Sequence, residues 1–375
     1  MEGTFAHPRL PVACAVMAAG LFIALTVVGP AIAAGPPIKT QQCSVAPLLP
    51  ASFTLNNRLF VGNRSNIITG YTDLITSANG FMTGAPDMTL GGSNTLLSLV
   101  SRNYLVGMAR DDSGRVYVAG PNTGTVNVYA APTAGQNNLA PIGSLSAADG
   151  LSQPAGLAFD TWRNLLYVAN AGNGTVTRYE VVAAGTVTFR NKITLSGLSA
   201  PRGLALNPDG TLLYVANRGS NSIALYGVGA TPGFTAIPLA APLLDLTGPI
   251  GIALNPAGTK LYVANNGKIN GWYSVTIYDT DLAGRPMATA AHIGGDKTGL
   301  CNPATVAVDP TGSHLYVANR ESSGGSITVY NLNADGSLRV PAGAPADFNV
   351  QPATMMLHDA VNQLGAPVGL IVTNP

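Results

Sequence analysis

Charge, aromatics, histidine and cysteine are all scarce in this chain of 375 residues. Charged residues make up 10% of it, where an average globular protein carries about 25%. Nineteen basic and eighteen acidic residues leave a formal +1. That balance excludes the Lys/Arg excess needed to neutralise a phosphate backbone, so nucleic acid is not an expected partner. With 46% hydrophobic residues, charge-driven disorder is excluded as well. No G-x-S-x-G, H-E-x-x-H or Walker pattern occurs. Beyond the first 34 residues no apolar run reaches the roughly 18 residues that a membrane helix needs.

The N-terminus differs from the rest. A short start with Arg9 leads into an apolar run from Pro11 to Val28, then to Ala31-Ile32-Ala33-Ala34. This order reads as a secretory signal over 1–33, cut after Ala33, with an uncleaved membrane anchor as the alternative. The mature protein is then expected to be exported, to the periplasm or beyond the cell, with no membrane insertion. An N-terminal extension would cover 34–56. Two cysteines remain, Cys43 and Cys301. In an oxidising compartment two distant thiols pair, which predicts a bridge from the extension to the body; two free thiols are the alternative. Neither has a C-x-x-C neighbour, so a zinc site is not expected.

What the chain has in abundance is glycine (44) and proline (27), and they punctuate a repeat. Leu-Tyr-Val-Ala-Asn occurs at 166–170, 213–217, 261–265 and 315–319, with looser copies at Val116–Gly120 and Leu59–Asn63. Successive cores start about 50 residues apart. Each strong copy follows a Pro-x-Gly-hydrophobic segment, or Pro-x-Thr in one case, starting at Pro154, Pro201, Pro249 and Pro303. A third element ends in tyrosine at 71, 129, 179, 226, 278 and 330. The pieces are short, rich in β-branched and aromatic residues, and bounded by turns such as Asn207-Pro-Asp-Gly210. With a poorer fourth strand, each unit reads as one blade of a β-propeller.

The ends carry the closure. Pro367–Pro375 copies a first strand and stops, while the first unit begins at its second strand, Leu59-Phe-Val. Pairing them closes the ring. The expectation is therefore an all-β chain with a single propeller over 57–375 and six four-stranded blades, seven being the alternative. Residues 352–363 are expected to form a short helix before the closing strand.

These cores and their Pro-x-Gly partners resemble the YVTN/NHL-type β-propeller repeats of the lactonase-like superfamily. The resemblance covers about 57–375 and implies the fold. Propellers of this kind range from ligand-binding scaffolds to lactonases and lyases, and fold alone does not choose among them.

In a propeller the first strands line a central channel, and the loops after the Tyr-Val-Ala-Asn cores share a face with the Pro-x-Gly entries. Arg64, Arg218, Lys268 and Arg320 follow cores, Arg202 lies in an entry, and Trp272 sits in a longer loop. They make a candidate basic rim for a small polar or anionic ligand, or for a protein partner; ordinary solvated loop residues are the alternative. The positions just before the entries are Gln153, Ala200, Gly248, Asn302 and Ala366, none a carboxylate. His314, Asp160 and Asp309 fall on the opposite face and read as structural. No catalytic residues, metal or cofactor are assigned from this pattern. The leading expectation is an exported monomer that binds a ligand or partner without chemistry. A lactonase-like hydrolase is the alternative, and a structural envelope protein a further one.

Overall fold

A computed structural model describes residues 54–55, 58–71, 74–76, 82–83, 86–97, 106–133, 138–184, 186–229, 233–295, 298–320, 325–339, 355–358 and 366–373. The proposed leader, Cys43 and most of the extension lie outside them. In chain order the first strands are β1 Thr54–Leu55, β2 Arg58–Asn63, β3 Ile67–Tyr71, β4 Leu74–Thr76, β5 Met82–Thr83 and β6 Met88–Leu90. Blade 1 is β7 Met108–Arg110, β8 Val116–Gly120, β9 Thr125–Tyr129 and β10 Gly143–Leu145. Blade 2 is β11 Pro154–Asp160, β12 Leu165–Asn170, β13 Thr175–Ala184 and β14 Thr186–Leu195. Blade 3 is β15 Pro201–Leu206, β16 Leu212–Asn217, β17 Ser222–Gly227 and β18 Thr235–Ile237. Blade 4 is β19 Pro249–Leu254, β20 Lys260–Ile269, β21 Trp272–Thr280 and β22 Pro286–Gly294. Blade 5 is β23 Pro303–Val308, β24 His314–Asn319, β25 Ser326–Asn331 and β26 Met355–His358. The C-terminal β27 Pro367–Thr373 completes blade 6 in the order β27-β2-β3-β6.

Six four-stranded antiparallel blades result, and the last is split between the two ends of the propeller, with Val61 opposite Leu370. A small extra sheet, β1-β4-β5, is not a seventh blade. One expectation is corrected. Within 352–363 no helix is described, and Met355–His358 is the outer strand of blade 5, with Leu357 opposite Ile327. β25 would otherwise present an unpaired edge, and that pairing outweighs the helical propensity of Met and Leu.

The Tyr-Val-Ala-Asn cores of the second strands are buried throughout, as in Leu165–Asn170. Each blade has a neighbour on both faces, so both faces of the strand are covered and the usual alternation disappears. The three repeat signatures then have separate jobs. The core asparagine ties the entry to the second and third strands: Asn265 Oδ1 accepts from Thr247 N at 3.1 Å while its Nδ2 donates to Thr276 at 2.8 Å. Asn170 and Asn319 repeat this with Ser152 N and Cys301 N. The third-strand tyrosine donates to a carbonyl of the incoming connection, Tyr179 to Asp149 O at 2.7 Å and Tyr330 to Thr298 O at 2.6 Å. Burial pushes both phenols up, so they remain donors.

The entry glycine permits close approach. A Cβ on Gly156 would lie 2.1 Å from Arg202 O, and one on Gly107 2.1 Å from Ala155 O. First strands of adjacent blades therefore touch backbone to backbone, as Gly107 N donating to Ala155 O at 2.7 Å shows. The channel they surround is narrow, about 80 Å³, and is lined by Met108, Leu157, Leu204, Ile252, Val306 and Leu370, one from each blade. Cys301 is buried; Cys43, its expected disulfide partner, is outside the described residues.

Candidate functional site: an arginine-lined channel mouth

At the entry side of the channel, the residues before the prolines hold an unusual backbone. Gln153, Ala200, Asn302 and Ala366 have φ between 46° and 55°, a left-handed region that non-glycine residues rarely adopt. The kink aims each carbonyl at the N–H of the residue after a core asparagine. Arg64 N reaches Ala366 O, Arg218 N reaches Ala200 O, and Arg320 N reaches Asn302 O, at 3.1–3.3 Å. Asn266 N meets Gly248 O at 3.0 Å in the same way. Ala171 N meets Gln153 O at 3.2 Å in blade 2 as well, so the kink belongs to the blade repeat.

This geometry places Arg218, Asn266, Arg320 and Arg64 at equivalent positions on blades 3, 4, 5 and 6. Neutral amides link them. Asn302 Oδ1 accepts from Arg320 Nη2 at 3.3 Å and from Asn266 Nδ2, whose own oxygen takes Arg218 Nη2 at 3.5 Å. The amides orient guanidinium groups without cancelling their charge. Among the described residues none of Arg64, Arg218 and Arg320 forms an ion pair. Arg64 Nε, Arg218 Nε and Arg320 Nη1 are buried with no hydrogen-bond partner among the described protein atoms. Arg320 is 6% exposed. Burial, then repulsion from Arg64 and Arg218, holds its guanidinium below its ordinary pKa, with Tyr273 opposing them. An anion placed here would remove that repulsion and fill those donors.

The other three candidates are placed differently. Arg202 belongs to the inner strand β15, where it is 5% exposed. Lys268 and Trp272 lie on an extension of the β20–β21 hairpin that turns at Asn270-Gly271, with Ile269 opposite Trp272. Lys268 Nζ sits 5.1 Å from the centre of the Tyr273 ring, and Trp272 is half-buried.

Reasoning from sequence missed Asn266 and Asn302, which show their role only once four blades are adjacent. It also missed a hydrogen bond between His292 Nε2 and Asp245 Oδ2 at 3.0 Å. That pair, with Tyr278 donating to Leu244 O and Thr276 to Asp245 O, fixes the connection from blade 3 to blade 4. Asp149 is occupied too, accepting Ser146 N in a capping box.

Comparison with known proteins adds family to geometry. The model described as "Lactonase, 7-bladed beta-propeller" matches residues 108–236 and 236–343. The chain belongs to that lactonase propeller family. It has six blades where the family description names seven. No curated protein matches significantly in sequence. Among solved structures, a protein from Lactobacillus plantarum is 17% identical with a TM-score of 0.55, over 85% of this chain and 99% of that one. A putative 6-phosphogluconolactonase from Bacteroides uniformis is 16% identical with a TM-score of 0.54, over 85% and 100%. Another from Bacteroides fragilis gives 16% and 0.53, over 84% and 97%. At these identities the likeness is one of fold. The family model that matches is the lactonase one.

Proposed function

We propose that this propeller is a lactonase-like hydrolase whose small, anionic lactone substrate binds at the mouth formed by Arg64, Arg218 and Arg320. The observation that carries the reading is the buried Arg320 guanidinium facing two like charges with no acidic partner among the described residues. Membership of the lactonase family supports it. Three guanidinium groups suit a phosphate or carboxylate on the substrate. One left over can face the lactone carbonyl, where water addition develops an oxyanion. Ring opening then yields a hydroxy acid with one more negative charge than the lactone, which the same cluster accommodates.

A binding-only role is the second reading, favoured by one observation. The described His-carboxylate pairs, His292–Asp245 and His314–Asp309, serve a connection and a turn instead of the mouth. Phosphorylated sugar lactones are the first compounds to test, since two structural neighbours are titled putative 6-phosphogluconolactonases. Turnover should be followed across neutral, carboxylated and phosphorylated lactones, with and without divalent metal. The expected result is a preference for anionic lactones that falls at least tenfold in Arg320→Met. Thermal stabilisation by sugar acids without turnover of any lactone would select the binding-only reading. Turnover indifferent to substitutions at all three arginines would overturn the site.

A further inference from the structure

A second cavity opens on the same face, beside blade 3. It measures about 480 Å³ and is lined by Ile223, Leu239, Ala240, Ala241, Pro242, Leu243 and Leu246, with Ser220, Asn221 and Ser222 at one end. That volume lies within the range of small-molecule sites, roughly 300–1,000 Å³. We infer that this groove takes an unbranched aliphatic substituent of the ligand whose anionic head lies among the mouth arginines.

The assignment deepens the proposed function and rests on it for the head group; the groove itself stands on its own geometry. Its wall is chemically one-sided. Leu239, Leu243 and Leu246 also pack against the apolar cluster that includes Ile223 and Tyr278. At the polar end the Ser220 and Ser222 hydroxyls bond each other at 2.8 Å, and Asn221 Oδ1 accepts Gly248 N at 2.7 Å. The Asn221 amide N–H₂ is left to meet a single acceptor on a ligand, such as an ester or lactone oxygen. Beyond this end the side chains of the wall are aliphatic, from Leu239 to Leu246.

Continuity with the mouth is direct. Arg218 opens the short 3-10 turn Arg218–Ser220 that ends at the groove. Arg218 Nε lies 4.0 Å from where a Cβ on Gly248 would sit, and Gly248 is the residue that Asn221 holds. In sequence, Gly219 alone separates Arg218 from Ser220 at the polar end of the groove. The groove is also preformed. Its far wall is the connection secured at Leu244 and Asp245 by Tyr278, Thr276 and His292. An apolar wall held in place without a ligand loses little freedom on binding.

Calorimetric titration of the full-length protein with straight-chain carboxylates from butanoate to decanoate tests this. The dissociation constant should fall about threefold to fourfold per added methylene until the groove is filled. Ala241→Trp, which fills the groove, should flatten that series and leave butanoate unaffected; Ala240→Trp provides an independent second block. A flat series in the unsubstituted protein, with butanoate still bound, would overturn the groove while leaving the mouth intact. A slope that persists in both tryptophan variants would overturn it too. If no carboxylate binds but 1-octanol and shorter alcohols show the same length dependence, the groove stands and the anionic mouth falls.

Discussion

The two faces of the ring spend charge in opposite ways. On the face of the first-to-second-strand turns, carboxylates are saturated. Asp309 accepts Ser313 N at 2.8 Å, Thr311 Oγ1 at 2.9 Å and His314 Nδ1 at 2.7 Å. Asp111 takes Arg115 and Tyr117, and Asp160 takes Arg163. At the channel mouth, Arg218 and Arg320 lean on neutral amides, and Arg64 and Arg218 repel Arg320. A buried charge that is fully hydrogen-bonded supports the fold, whereas a desolvated cation without an anion costs stability.

The largest effect should come from what both faces share. Gly156→Val would push a side chain into Arg202 O and should destabilise the propeller by upwards of about 3 kcal/mol, seen as a lowered Tm. A protein of unchanged stability would mean that the first strands do not meet as described. Next comes the saturated face. Asp309→Ala should lose about 2–3 kcal/mol of stability with ligand affinity unchanged. Burial alone would raise the Asp309 pKa, but hydrogen bonds from His314, Ser313 and Thr311 and the His314 charge outweigh it and lower it. A carboxylate depressed in the folded state adds stability above the unfolded carboxylate range and loses it as pH falls through the folded value. The acid limb of the stability profile below about pH 4 should therefore flatten in Asp309→Asn.

Arg320→Met should do the reverse of Asp309→Ala. Anion affinity should fall at least tenfold, about 1.4 kcal/mol, while Tm stays level or rises because a desolvated, repelled cation is gone. A marked fall in Tm with unchanged affinity would erase the distinction between the faces. The smallest effect is set by Tyr330→Phe, which removes one buried hydrogen bond to Thr298 O and should cost about 1 kcal/mol. Activity should not change with it.

Blades were legible because their determinants are local. Asn207-Pro-Asp-Gly210 makes its own turn, and Asn207 Oδ1 accepts Leu212 N five residues on at 2.7 Å. The split blade was legible for a related reason, since Pro367-Val-Gly-Leu repeats a pattern already seen intact elsewhere in the chain. Met355–His358 was misread because its strand state depends on a distant edge, β25, and not on its own propensity. Arg64, Arg218 and Arg320 could be named as rim residues from position alone. Their mutual repulsion, the amides between them and the burial of Arg202 could not.

The sequence by itself determined the repeat, the six-blade ring and the closure through the ends. Those follow from turns and strand pairings encoded within tens of residues. Only the tertiary structure decided which charges go unmet, that Asn266 and Asn302 join two arginines, and that an apolar groove opens beside blade 3. These features arise where blades from distant parts of the chain are pressed together, and desolvation acts only after that closure.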